Sequence, residues 1–157
     1  FPIGGYWISD RAIDDQGTEP ASIMDPGSHG STYGGTPLGT TVALAVLREI
    51  VSQGVPERAR RLGAEIRAEI ESWNVRVIQG VRGLGLLLGI GLNPEMVDAP
   101  EGKTVAAVVV EALRQEGLLS VPAGPETVRL LPPLNVSEEE VQQALAIIRR
   151  VLKTYVK

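Results

Sequence analysis

The residues whose types and spacing suit chemistry gather between Pro26 and Leu38, PGSHGSTYGGTPL. Gly27, Gly30, Gly34 and Gly35 are interleaved there with Ser28, Ser31, Thr32 and Thr36, and His29 is the single histidine of the chain. Glycine lets backbone approach a ligand closely, and successive N–H groups beside hydroxyls suit a phosphate. Thr36 and Pro37 then open an apolar segment in the manner of a helix start: a threonine N-cap followed by proline at the first helical position. A helix N-terminus adds its own attraction for an anion. The spacing matches neither the P-loop nor the dinucleotide fingerprint. Two readings therefore stand, a phosphate cradle and a glycine-rich turn with no ligand.

His29 has the chemistry of a general base. No nucleophile elbow or acid partner accompanies it, and a loop histidine that holds backbone by hydrogen bonds is the simpler reading. Arg129, in TVRLLPP, is the second candidate. A charge in an apolar strand is costly to bury without a partner. Its guanidinium fork matches a carboxylate through two parallel hydrogen bonds. A substrate-carboxylate clamp is one reading, and an exposed edge-strand arginine or an internal salt bridge is the other. Arg82 lies in GVRGLG, which reads as a glycine turn, and its role there is structural.

The elements that would position these groups follow from pattern. FPIGGYWIS (1–9) is aromatic and β-branched and reads as a strand. An apolar strand at the first residue points to further sequence upstream or to another chain. Residues 10–30 read as a long surface loop with one helical turn near 10–14. A helix is expected from Thr36 to about Gln53, stopped by Gly54. A second runs from about Pro56 to Trp73, where Ala59, Leu62, Ile66, Ile70 and Trp73 recur on one face. Strands are expected at 75–78 and 84–92 around a Gly80–Gly83 turn. A third helix spans about 103–116. Short strands follow at 118–121 and 127–131. The last helix begins at Ser137, where Ser137 and Glu140 make a capping box and Val136 and Val141 a hydrophobic staple. Helix, two strands, helix, two strands, helix predicts an α+β unit with helices on one face of a small, mainly antiparallel sheet. Residues 1–53 cannot bury enough surface to close into a domain alone, so the chain divides into 1–53 and 54–157.

Composition narrows the function classes. At 157 residues and 43% hydrophobic the chain can bury a real core. A net charge of −4 argues against a nucleic-acid partner. No segment has the uninterrupted apolar length of a membrane span. The opening residues lack the basic and apolar regions of a signal peptide. With no cysteine and one histidine, disulfides, thiolate metal sites and His-His metal motifs are absent. The expected setting is cytoplasmic.

Taken in order, four segments resemble the C-terminal part of the class III pyridoxal-phosphate aminotransferases, nearest to members that act on N-acetylornithine. FPIGGYWIS resembles the strand after the family's cofactor lysine. GSHGSTYGGTPL resembles its phosphate-contacting loop, with Thr36 where asparagine is common. VRGLGLLLGIGL resembles the Arg-Gly turn and strand of the small domain, and AGPETVRLLPPLNVSEEEV the segment with the substrate-carboxylate arginine. The resemblance implies a fold-type I transferase: 1–53 a remnant of the large cofactor-binding domain, 54–157 the small C-terminal α+β domain. It implies pyridoxal 5'-phosphate as cofactor and a homodimer with shared active sites. Thr32 would bind the cofactor phosphate of the other subunit, Ser31 would contact substrate, and Arg129 would hold the α-carboxylate of an amino acid or 2-oxo acid. The implied reaction is N-acetylornithine plus 2-oxoglutarate giving N-acetylglutamate 5-semialdehyde plus glutamate. The family's Schiff-base lysine would fall before residue 1, and Lys103, Lys153 and Lys157 lie in none of these motifs. The chain alone is therefore expected to be inactive and to need the N-terminal part of the enzyme. Relatives acting on ornithine, succinylornithine or 4-aminobutyrate share the pattern, and a non-catalytic dimerisation or regulatory module is the competing class.

Overall fold

Residues 2–24, 27 and 30–155 are described by a computed structural model. They fall into two compact units that divide between Gln53 and Gly54. In the first unit, residues 2–9 run extended without a strand ladder, although their side chains favour one. A strand exists only where a neighbour completes its hydrogen bonds, and the described residues supply none there. No helical turn forms over 10–14. Instead the Asp14 carboxylate accepts from the backbone N–H groups of Gln16 and Thr18, at 3.0 and 2.9 Å, and closes a polar turn. A 3-10 turn follows over Pro20–Ile23.

Helix α1 spans Pro37–Ser52. Thr36 caps it, its Oγ1 accepting from the Gly39 N–H at 3.3 Å, with proline at the first position as expected. Gly54, with φ of +59°, ends the run.

The second unit opens with α2, Val55–Ser72. Its stripe of Ala59, Leu62, Ile66 and Ile70 is buried, and Trp73 just beyond it is buried too. Strand β1 is Ile78–Leu84 and β2 is Leu87–Leu92, joined by a two-residue turn at Gly85-Leu86. This corrects the expected turn: Gly80 to Gly83, with Arg82, lies inside β1. The bend falls at Gly85, whose φ of +54° suits a tight hairpin. Helix α3 spans Val105–Gln115 under a Thr104 cap. Strands β3, Val121–Pro122, and β4, Thr127–Leu130, follow, and α4 spans Glu138–Leu152. Both halves of the Ser137–Glu140 capping box form.

The sheet is antiparallel throughout, in the order β1-β2-β4-β3. Helix α2 packs on β1 and β2, α3 on β3 and β4, and α4 on both helices. Val81, Leu88, Ile90, Leu92 and Val128 alternate inward to meet Ile66, Ile70, Val109, Leu113, Leu145 and Ile148. The other face bears no helix of this unit and carries Arg82, Leu84, Leu87, Gly89 and Arg129. Period-two alternation thus divides the strands into a core face and an open one.

Candidate functional site

The glycine loop and Arg129 lie in different units, and each is built locally. In the loop, the Ser31 Oγ accepts from the Gly34 N–H at 2.9 Å, which closes a short turn. A lone pair of Ser31 is thereby used, while its hydroxyl proton stays available to donate. Tyr33 accepts at its carbonyl from both the N–H and the Oγ1 of Thr36, at 3.4 and 3.1 Å, and joins the turn to the start of α1. Thr32 stands between these anchors. Its side chain is exposed and has no hydrogen-bond partner among the described residues. Added side chains at Gly30 and Gly35 would meet open space, so the backbone there is bare to an approaching ligand.

This arrangement fits a phosphate: a threonine hydroxyl with no partner among the described residues, beside the first turn of a 16-residue helix. Pro26, Ser28 and His29 lie outside the described residues, and so does the general-base reading of His29. Among the described residues no group of acidic or histidine side chains could hold a metal ion.

Arg129 lies on β4, an interior strand flanked by β2 and β3, not on an edge. It pairs with Gly89 on one side and Val121 on the other. Val128 and Leu130 point into the core, so Arg129 rises from the open face. It is exposed, and among the described residues it has neither hydrogen-bond nor ion-pair partner. The internal salt-bridge alternative is thus not realised among these residues. A free guanidinium on an open sheet face can take a carboxylate with both prongs of its fork.

One residue of interest escaped the sequence reading. Arg82, expected in a turn, is exposed on the same open face and donates through Nη2 to Thr127 Oγ1 at 2.8 Å. The glycines around it mask the strand, and only the register of β1 on β2 and of β2 on β4 brings it into line with Arg129.

The family profile described as aminotransferase class-III matches residues 4–152. This chain belongs to the class-III aminotransferases. Over 137 residues it is 42% identical to an acetylornithine aminotransferase of Thermosynechococcus vestitus, covering 85% of this chain and 32% of that protein. The crystal structure of an acetylornithine aminotransferase from Elizabethkingia anophelis superposes with a TM-score of 0.71 at 37% identity, over 85% of this chain and 34% of the other. An ornithine aminotransferase from Toxoplasma gondii gives a TM-score of 0.71 at 31% identity, over 85% and 31%, and its structure is described as having partial occupancy of PLP at the active site. The chain thus spans about a third of the length of these class-III relatives.

The α+β architecture with an antiparallel sheet, expected of the C-terminal part of such an aminotransferase, is the one observed. No single described helix is long and apolar enough to cross a membrane.

Proposed function

We propose that this chain is the C-terminal portion of a pyridoxal-phosphate-dependent aminotransferase that converts N-acetylornithine and 2-oxoglutarate to N-acetylglutamate 5-semialdehyde and glutamate. The observation that carries the reading is Arg129, a guanidinium with no partner among the described residues, on the open face of an interior strand. Residues 1–53 belong to the large cofactor-binding domain and residues 54–157 form the small domain. When bound, pyridoxal phosphate supplies the electron sink for chemistry at the substrate α-carbon.

The chain's own residues bind and orient. The Thr32 hydroxyl donates to the cofactor phosphate of the other subunit in a cytoplasmic homodimer. Ser31, its oxygen already engaged by Gly34, turns its proton toward substrate. Arg129 grips the α-carboxylate of the amino acid or 2-oxo acid, which fixes the α-carbon against rotation. Lys103 and Lys153 are exposed and fall in none of the family-like sequence motifs, and Lys157 lies outside the described residues. The reactive lysine therefore comes from the remainder of the enzyme, and this chain alone does not turn over.

The ornithine aminotransferase from Toxoplasma superposes as well as the Elizabethkingia acetylornithine enzyme, which favours ornithine as the second substrate reading. The test is a transamination assay on the complete enzyme with each donor in turn, repeated with Arg129→Met. Activity with N-acetylornithine that collapses in Arg129→Met supports the proposal. Preference for ornithine replaces the donor. A complete protein that forms oligomers without binding the cofactor would make the chain a dimerisation module instead.

A further inference from the structure

Arg82, Gly89 and Arg129 form one row across three strands: Arg82 pairs with Gly89, and Gly89 with Arg129. Directly paired residues project to the same side of a sheet. Their chain neighbours Val81, Leu88 and Val128 are buried on the helix side, so both arginines rise from the open face. Two strand spacings separate their Cα atoms by about 10 Å, so both side chains can reach one anion.

What Arg82 touches gives it a role. Its Nη2 donates to Thr127 Oγ1, and Thr127 is a buried polar residue two positions from Arg129 on the same face. The bond draws the Arg82 side chain across Gly89 toward β4. A Cβ added at Gly89 would stand 2.9 Å from Thr127 Cγ2 and 3.8 Å from Arg82 Cγ. The floor between the two arginines is therefore glycine, and Arg82 and Thr127 already fill the space above it. Neither arginine has a carboxylate partner among the described residues.

We propose that Arg82 is a positioning residue for the Arg129 carboxylate clamp. Fastened to Thr127, it closes the space over Gly89, so Arg129 cannot fold back along the sheet and extends toward substrate. Its charge also raises the positive potential where the carboxylate docks. An incoming carboxylate relieves the repulsion between the two guanidiniums, so an anion is held more firmly than by Arg129 alone. This inference rests on the proposed role of Arg129.

The experiment titrates the complete enzyme with glutarate and follows arginine Nε–H resonances by NMR. Arg129→Met should lose glutarate binding. Arg82→Met should weaken it about tenfold, the order expected for one charge-assisted contact. Thr127→Val keeps both charges but frees Arg82, and should weaken binding about threefold and broaden the Arg129 resonance. Arg82→Lys, which can still donate to Thr127, should recover part of the loss. If Arg82→Met and Thr127→Val bind like the parent while Arg129→Met does not, the inference falls and the Arg129 clamp stands. Loss in Arg82→Met with no change in Thr127→Val also overturns positioning, leaving only charge. If Arg129→Met binds like the parent, or the parent shows no response, the clamp itself is wrong. Thermal melts check folding, and Thr127→Val decides the matter should Arg82→Met fail to fold.

Discussion

Gly63 on α2 meets the backbone of Gly85 in the β1–β2 turn so closely that a Cβ at Gly63 would stand 1.9 Å from the Gly85 carbonyl oxygen. The helix is thereby seated directly on the hairpin that carries Arg82 and Gly89. The obstacle is backbone, which cannot swing aside as a side chain does. Gly63→Ala should therefore destabilise the second unit by about 2–3 kcal/mol, despite alanine's better helix propensity. In a thermal melt that is a fall on the order of 10 °C or more. A midpoint unchanged or raised would contradict this packing.

The start of α4 should carry a pH signature. The backbone N–H of Ser137, and then its hydroxyl, hold the Glu140 carboxyl below its ordinary value of 4.5. A depressed carboxyl stabilises the fold above its unfolded value, and that contribution is lost as pH falls through the folded value. Between about pH 5 and pH 3 the parent should lose more stability than Glu140→Gln, whose side chain does not titrate. Ser137→Ala should cost about 1 kcal/mol at neutral pH through loss of the cap. Urea titrations at several pH values read both effects, and parallel pH curves for parent and Glu140→Gln would refute the first.

Glu111 offers a sharper readout. Arg114, first by hydrogen bond, and then Gln115 bring its carboxyl down to about 2. By carboxyl-carbon NMR its midpoint should lie well below the ordinary value of 4.5. In Arg114→Gln its midpoint should rise toward the ordinary value, because the largest cause is gone. A midpoint indifferent to Arg114 would show the pair to be a surface contact without consequence in solution.

Helices were the legible part of this sequence because their causes are local. Thr36-Pro37 and Ser137–Glu140 announce two helix starts, and the stripe of α2 needs only its own residues to be read. Strands depend on partners that local pattern does not name. Residues 2–9 have strand composition but find no ladder among the described residues, whereas Gly80–Gly83 looks like a turn and pairs fully with β2. Ser31, Thr32 and Arg129 could be picked out by residue type and family resemblance. Arg82 could not, because its relation to Arg129 exists only through the register of β1 on β2 and β2 on β4.

If Arg129 grips a carboxylate with both prongs, charge alone will not replace it. Arg129→Lys in the complete enzyme keeps the charge but offers a compact ammonium in place of the planar fork. KM for the 2-oxo acid should rise by on the order of 100-fold, the loss of about two charge-assisted hydrogen bonds partly offset by the retained charge. Affinity for the cofactor should be unchanged, since the proposed site gives the phosphate to Thr32 and not to Arg129. Equal kinetics for Arg and Lys would leave only an electrostatic role.

The assignment of Thr32 to one subunit and Arg129 to the other can be tested by mixing two crippled proteins. Thr32→Val should lower cofactor affinity about tenfold by removing one hydroxyl donor to a phosphate. Arg129→Met should leave cofactor affinity intact and abolish tight carboxylate binding. In a mixed dimer with shared sites, one site combines Arg129 of one subunit with Thr32 of the other, both unaltered, while the second site carries both defects. Random pairing then returns about a quarter of parental activity at limiting cofactor. If each subunit used its own Thr32, every site in the mixture would carry one defect, and mixing would restore nothing. The Thr32 hydroxyl is exposed and has no partner among the described residues, and recovery on mixing is the measurement that separates the two arrangements.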